Sequence, residues 1–123
     1  MSSREPLPEG CPPADAPVIT TEVMVYRLVR TVPPTEEDFR SQRAENPEKY
    51  FSNECLARGL SVHALRRDSE MATKLPNLKG RQPCAVRLSP ASGHLKQTGK
   101  PSHHTWWPFA SFDILGSISE VAA

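Results

Sequence analysis

The run Ser102-His103-His104-Thr105-Trp106-Trp107-Pro108 concentrates more chemistry than any other stretch of this chain. Imidazole is the side chain whose protonation changes near neutral pH, so either histidine can donate or accept a proton there. Each indole offers a broad stacking face and one N–H that needs an acceptor when buried. Threonine adds a hydroxyl. Together these residue types read as the wall of a pocket for a planar ligand, with a histidine and a hydroxyl as polar handles. The competing reading is a core strand whose histidine is a satisfied hydrogen-bonding group. On a strand, neighbouring side chains point to opposite faces. One histidine therefore shares a face with Trp106, and the other shares a face with Thr105 and Trp107 or its side. A single cleft takes one histidine easily, not both.

Arg27 is the second candidate. It sits in Val23-Met24-Val25-Tyr26-Arg27-Leu28-Val29, a β-branched and aromatic run that reads as a strand. Met24, Tyr26 and Leu28 share one face; Val23, Val25, Arg27 and Val29 share the other. A guanidinium among valines needs a partner for its charge. That partner is either an internal carboxylate such as Glu120 or the phosphate of a ligand, which guanidinium binds bidentately. Ser61 is the third candidate. It follows Gly59 on the short strand Leu60-Ser61-Val62-His63-Ala64, where a glycine lets a ligand approach the backbone closely.

Other chemistries find less support. Adjacent histidines on one strand cannot both turn to one ion, and no carboxylate completes a triad with His63 or His94, so no metal site is expected. There is no G-x-S-x-G elbow and no glycine-rich phosphate loop. Three cysteines without a C-x-x-C pair suggest neither a zinc site nor a secreted disulfide framework. Cys55 and Cys84 lie in apolar surroundings and read as inert core thiols.

The elements that must position these residues form one small α+β domain. Five of the 13 prolines fall before residue 18. Residues 1–17 therefore read as a disordered proline-rich leader, and residues 18–123 as a single domain. Thr35 caps a helix over the acidic Glu36-Glu37-Asp38, which ends before Pro47. Pro47 restarts a short helix that Gly59 stops. Asp68 or Ser69 caps another, with Met71, Ala72 and Leu75 on its apolar face and Pro76 at its end. Strands follow at 84–88, 95–98, 103–107 and 117–121, with a helical turn within 109–115. The expected core is a small split or strongly bent, mainly antiparallel sheet with two or three helices.

A formal net charge of +1 lacks the basic excess of a dedicated nucleic-acid binder. Neither a signal peptide nor a run of membrane-spanning length is visible, so a cytoplasmic protein without membrane association is expected.

The order of motifs resembles a family of small uncharacterised bacterial proteins that carry a G-(I/L)-S-V strand and a late H-x-T-(L/W)-W strand. Here these are Gly59-Leu60-Ser61-Val62 and His103-His104-Thr105-Trp106-Trp107, and the resemblance spans about residues 23–121. More distantly, the layout with its Tyr26-Arg27 pair resembles ADP-ribosyltransferase-like toxin domains, including NAD-degrading ones. That resemblance implies an NAD-using domain, an ADP-ribosyltransferase or NAD-glycohydrolase, acting on a protein target or held by an antitoxin-type partner. It implies catalytic roles for Arg27, Ser61 and His104, and contacts to the cofactor from Tyr26, Arg27, His103 and Trp106. The family's Q/E-x-E pattern is absent, and His104 or His103 would take the place of its glutamate. The alternative is a non-catalytic interaction or accessory protein that keeps the fold.

Overall fold

The computed structural model describes residues 2–121, with the backbone alone for Glu120 and Val121. It is an α+β fold built on a six-stranded antiparallel sheet with three short helices. The strands are β1 (Val23–Val29), β2 (Leu60–His63), β3 (Gln82–Leu88), β4 (Gly93–Gln97), β5 (His103–Pro108) and β6 (Ile118–Val121), in the order β4-β5-β2-β1-β3-β6. The sheet is continuous rather than divided in two, yet it has a weak seam. β1 and β3 pair over seven positions, from Val23–Leu88 to Val29–Gln82. β1 and β2 meet at one position only, Tyr26–His63, and then part. A cleft opens at that fork.

Residues paired across antiparallel strands project to the same side, so register fixes the faces. One face gathers Val25, Val29, Leu60, Val62, Cys84, Val86, Leu88 and Trp106, with Phe39, Ile19 and Ile114 closing over them. This is the core, and Trp106 is fully buried in it against the edge of Phe112. The opposite face carries Tyr26, Ser61, His63, His103, Thr105 and Trp107. Trp107 is also buried, and its indole N–H donates to the Cys55 carbonyl at 2.9 Å.

The helices are shorter than the sequence suggests. The expected first helix is a 3-10 turn at Glu36–Phe39 followed by α1 (Gln42–Glu45), each too short to stand without tertiary support. Pro47 does not restart a helix; α2 (Glu54–Ala57) begins later, where the Asn53 side chain caps the Leu56 N–H. α3 (Arg66–Ala72) starts ahead of Asp68. Met71 and Leu75 are exposed, not on a packed face; buried Ser69 faces inward instead.

Residues 2–17 are not a disordered leader. The Arg4 N–H donates to the Pro108 carbonyl, the Ala110 N–H to Ser2, and the Leu95 N–H to Pro17. Glu5 accepts from the Ser41 amide, and Ala16 is buried with its carbonyl accepting from His94. Cys11 is joined to Cys55 by a disulfide, so Cys55 is no free core thiol. Prolines exclude sheet donors but not such docking: scattered carbonyls and a covalent link hold the strap without a ladder.

Candidate active site at the strand fork

Where β1 and β2 separate, the Arg27 side chain spans the gap. Its Nε donates to the Asp38 carbonyl at 3.1 Å, one terminal nitrogen to the Ser61 carbonyl at 2.8 Å, and the other to the Arg40 carbonyl at 3.1 Å. The guanidinium thus replaces the missing ladder and pins the 36–40 segment to β2. Its partners are backbone carbonyls, not the internal carboxylate that the sequence offered as one alternative. The nearest acid, Asp38, is spent elsewhere: its carboxylate accepts from the Arg30 and Thr35 amides. Glu120 lies on the far edge strand β6, with its side chain outside the described residues.

Around this fork opens a cleft of about 440 Å³. Arg27, Arg30, Arg40, Lys49 and Arg81 line it, together with Ser61, His63, His103 and the amides Gln42, Asn46 and Asn77. Glu45 is the one carboxylate in the lining, and it pairs with Arg30 at 3.1 Å. Among the described residues Arg40 and Arg81 make no side-chain hydrogen bond or ion pair. The crowding of cations is felt electrostatically. Desolvation, then the charge of Arg81, pulls Arg27 down to about 10. Desolvation and Arg30 lower Arg81 in turn. Cations that depress one another in a concave site gain when an anion enters.

The histidine pair forms the inner wall. His63 and His103 are register partners, and their rings meet edge to face with centroids 5.5 Å apart. Thr98 Oγ1 lies 3.0 Å from His103 Nδ1 and 2.7 Å from Thr105 Oγ1, a chain of three groups in which one proton position sets the others. Burial lowers the pKa of both imidazoles; the neighbouring histidines depress His103 further, while Asp68 partly restores His63. Gly59 also lines the cleft. A Cβ there would stand 2.2 Å from Thr105 Cγ2 and 3.0 Å from the Trp107 indole nitrogen, so no larger residue fits.

The fork therefore brings together Arg27, Ser61 and His103, as the sequence suggested. It does not bring His104, Tyr26 or Trp106. His104 projects with Val62 to the other face, where its Nδ1–H donates to the Ser102 carbonyl at 2.8 Å. Trp106 is core and offers no stacking face to a ligand. Tyr26 packs beneath the Arg66 guanidinium of α3. Sequence reasoning missed His63, Thr98, Arg30, Arg40, Lys49 and Arg81 as site residues. The alternation Gly59, Ser61, His63 on one strand face was a usable signal for His63. The remaining cations come from loops and short turns, where no periodicity points.

Cys84 is no nucleophile: it is buried, and burial pushes its thiol up to about 11. Among the described residues no group of three or more potential ligands is placed to hold a metal ion. No helix among them is long and apolar enough to cross a membrane. Comparison with known proteins finds no matching family model, curated protein or solved structure.

Proposed function

We propose that the fork cleft binds a phosphate-bearing nucleotide, with NAD as first candidate, and that the protein is an ADP-ribosyltransferase-like, NAD-using domain of toxin type. One observation carries the reading. Five cationic side chains surround a concave site that holds a single, already paired carboxylate, and two imidazoles and a serine form its wall. Such a site attracts and orients a diphosphate. Cleavage of the nicotinamide bond leaves an oxocarbenium-like centre that needs negative charge beside it. Among the lining residues only Glu45 supplies that charge, and a ligand phosphate that engages Arg30 would release it. The acceptor would be a protein target or water; an antitoxin-type partner would act by covering the cleft.

The test is isothermal titration calorimetry with NAD, paired with an assay for free nicotinamide. Saturable binding that is lost in an Arg40→Ala/Arg81→Ala variant supports the site. Retained binding with lost nicotinamide release in Glu45→Gln supports the catalytic role. No binding at millimolar NAD removes the reading.

A second reading has its own observation. All three Arg27 nitrogens are engaged by carbonyls, and among the described residues no carboxylate other than Glu45 lines the cleft. A non-catalytic module that docks an anionic segment of a partner needs nothing more. Binding without turnover distinguishes it. The Cys11–Cys55 disulfide weighs for an oxidising setting and against the cytoplasmic expectation.

A further inference from the structure

We propose that His63 and His103 together form a proton-taking subsite for a dianionic terminal phosphate, the chemistry of a nucleotide ending in a phosphomonoester. The inference rests on the nucleotide reading and extends it to nucleotides that end in a phosphomonoester, which NAD does not.

Geometry carries it. The two imidazoles come from directly paired positions on adjacent strands and both line the cleft. Their edge-to-face contact at 5.5 Å leaves no room for a group between them, so a ligand meets both from the same side. In-line acid–base work on opposite sides of one phosphorus is thereby excluded, and joint donation to one anion is favoured. Thr98 occupies His103 Nδ1, which leaves Nε2 for the cleft. Among the described residues His63 makes no hydrogen bond through either ring nitrogen. Two nitrogens therefore stand ready for the same oxyanion.

The charges felt by the pair come from three elements and one loop. Arg27 acts from β1, Asp68 from α3 and His104 through the sheet from the other face of β5, while Arg81 lines the cleft from the loop before β3 and Arg66 of α3 lies over the Tyr26 ring. Asp68 is the single negative charge of that set. With the cleft empty, burial and then the neighbouring histidines lower the pKa of His103, and burial lowers that of His63 against the opposing charge of Asp68. A dianion reverses the local field and favours imidazolium, so binding draws protons from solvent. Each phosphate of an internal diphosphate carries one charge, and the fixed guanidiniums already match it. A terminal phosphate brings a second charge and a third free oxygen, which the histidine pair is placed to use.

The test uses calorimetry in two buffers of different ionisation heat, with sulfate, inorganic phosphate, AMP and NAD as separate probes. Sulfate stays dianionic across neutral pH, so any proton taken up on its binding goes to the protein. We expect uptake approaching one proton near neutrality, and an affinity that falls by up to about tenfold per pH unit above it. His63→Asn and His103→Asn should each abolish most of the uptake and flatten the pH dependence. Arg40→Ala should weaken binding and keep the uptake. As a check independent of any variant, the ring-proton resonances of His63 and His103 should titrate at higher pH in the presence of sulfate. Sulfate or AMP binding without proton uptake, or unchanged histidine titrations, overturns the subsite. NAD binding without AMP or sulfate binding overturns it too and leaves the nucleotide reading intact. Proton-linked sulfate and phosphate binding with neither nucleotide bound keeps the subsite and removes that reading. Silence from all four probes removes both.

Discussion

Replacing Arg27 by alanine should unfold the protein at markedly lower denaturant, whether or not a ligand exists. The substitution deletes three hydrogen bonds from a charged donor to the carbonyls of Asp38, Arg40 and Ser61. A bond from a charged group contributes roughly 1.5–3 kcal/mol in favourable cases. Two corrections reduce the sum. The guanidinium is itself desolvated, which is why its pKa falls to about 10, and that cost disappears with the side chain. The freed carbonyls border an open cleft, so water reaches them. A net loss of about 2–4 kcal/mol remains. With a urea slope of about 1.5 kcal/mol/M, the midpoint should fall by about 1–3 M. Arg27→Lys should fall between, since one ammonium cannot reach three carbonyls set around a planar fork. Amide exchange in β2 should accelerate in step, because Tyr26–His63 would be the one remaining link between β1 and β2. A midpoint shift in Arg27→Ala below about 0.3 M would refute the claim that the side chain holds the fork closed.

Four further outcomes follow from the same geometry. Gly59→Ala should destabilise the protein by several kcal/mol, roughly 2–4, and abolish ligand binding, because its Cβ would stand 2.2 Å from Thr105 Cγ2; thermal melts and calorimetry check both. Cys11→Ser should cost about 4 kcal/mol in the chain-entropy account, given a separation of 44 residues, and should expose residues 2–17 to proteolysis; denaturation with and without reductant measures it. Stability should decline as pH falls below 6.5, because His63 and His103 hold folded pKa values beneath that ordinary value and the unfolded chain then binds more protons; His63→Asn/His103→Asn should flatten urea midpoints between about pH 5 and 7.5. Trp106→Phe should be far better tolerated than Trp106→Ala, which should cost about 3–5 kcal/mol, since the buried Trp106 indole N–H has no acceptor to lose among the described residues; denaturation midpoints decide.

The strands were legible in the sequence because β-branched runs bounded by proline and glycine leave few alternatives. Val23–Val29 was read with its faces correctly sorted, and the late histidine–tryptophan strand was placed within a residue or so of its ends. The helices were less legible. Thr35, Asn46-Pro47 and Asp68 are sound local signals, but the helices near them run to only about two turns at most, and long-range packing decides where the turns lie. The strap of residues 2–17 was misread for a physical reason. Proline density reports missing donors, not missing contacts, and a disulfide from Cys11 to Cys55 is invisible to local pattern. At the site, period-two alternation allowed one histidine of the pair to enter a cleft and forbade both. It could not choose His103 over His104, because that choice depends on register with β2. Arg27 reads in the sequence as a cation in need of a partner, and nothing local points to backbone carbonyls at a fork as that partner.

The structural role of Arg27 governs how any binding experiment on this protein must be read. Arg27 shapes the cleft by holding β1, β2 and the 36–40 segment in place, so its removal deforms the site even if the residue never touches a ligand. Loss of binding in Arg27→Ala is therefore expected under both proposed functions and discriminates neither. Arg40 and Arg81 are the informative positions. Neither spends its side chain on an internal hydrogen bond among the described residues, and both line the cleft. Removing them subtracts charge without cutting the fork. A ligand held by charge should then lose affinity in proportion to the number of cations removed, and more steeply at low salt. A ligand held by shape alone should not respond. Double substitution at Arg40 and Arg81, followed across a salt series with the denaturation midpoint as control, separates electrostatic recognition from collapse of the fold.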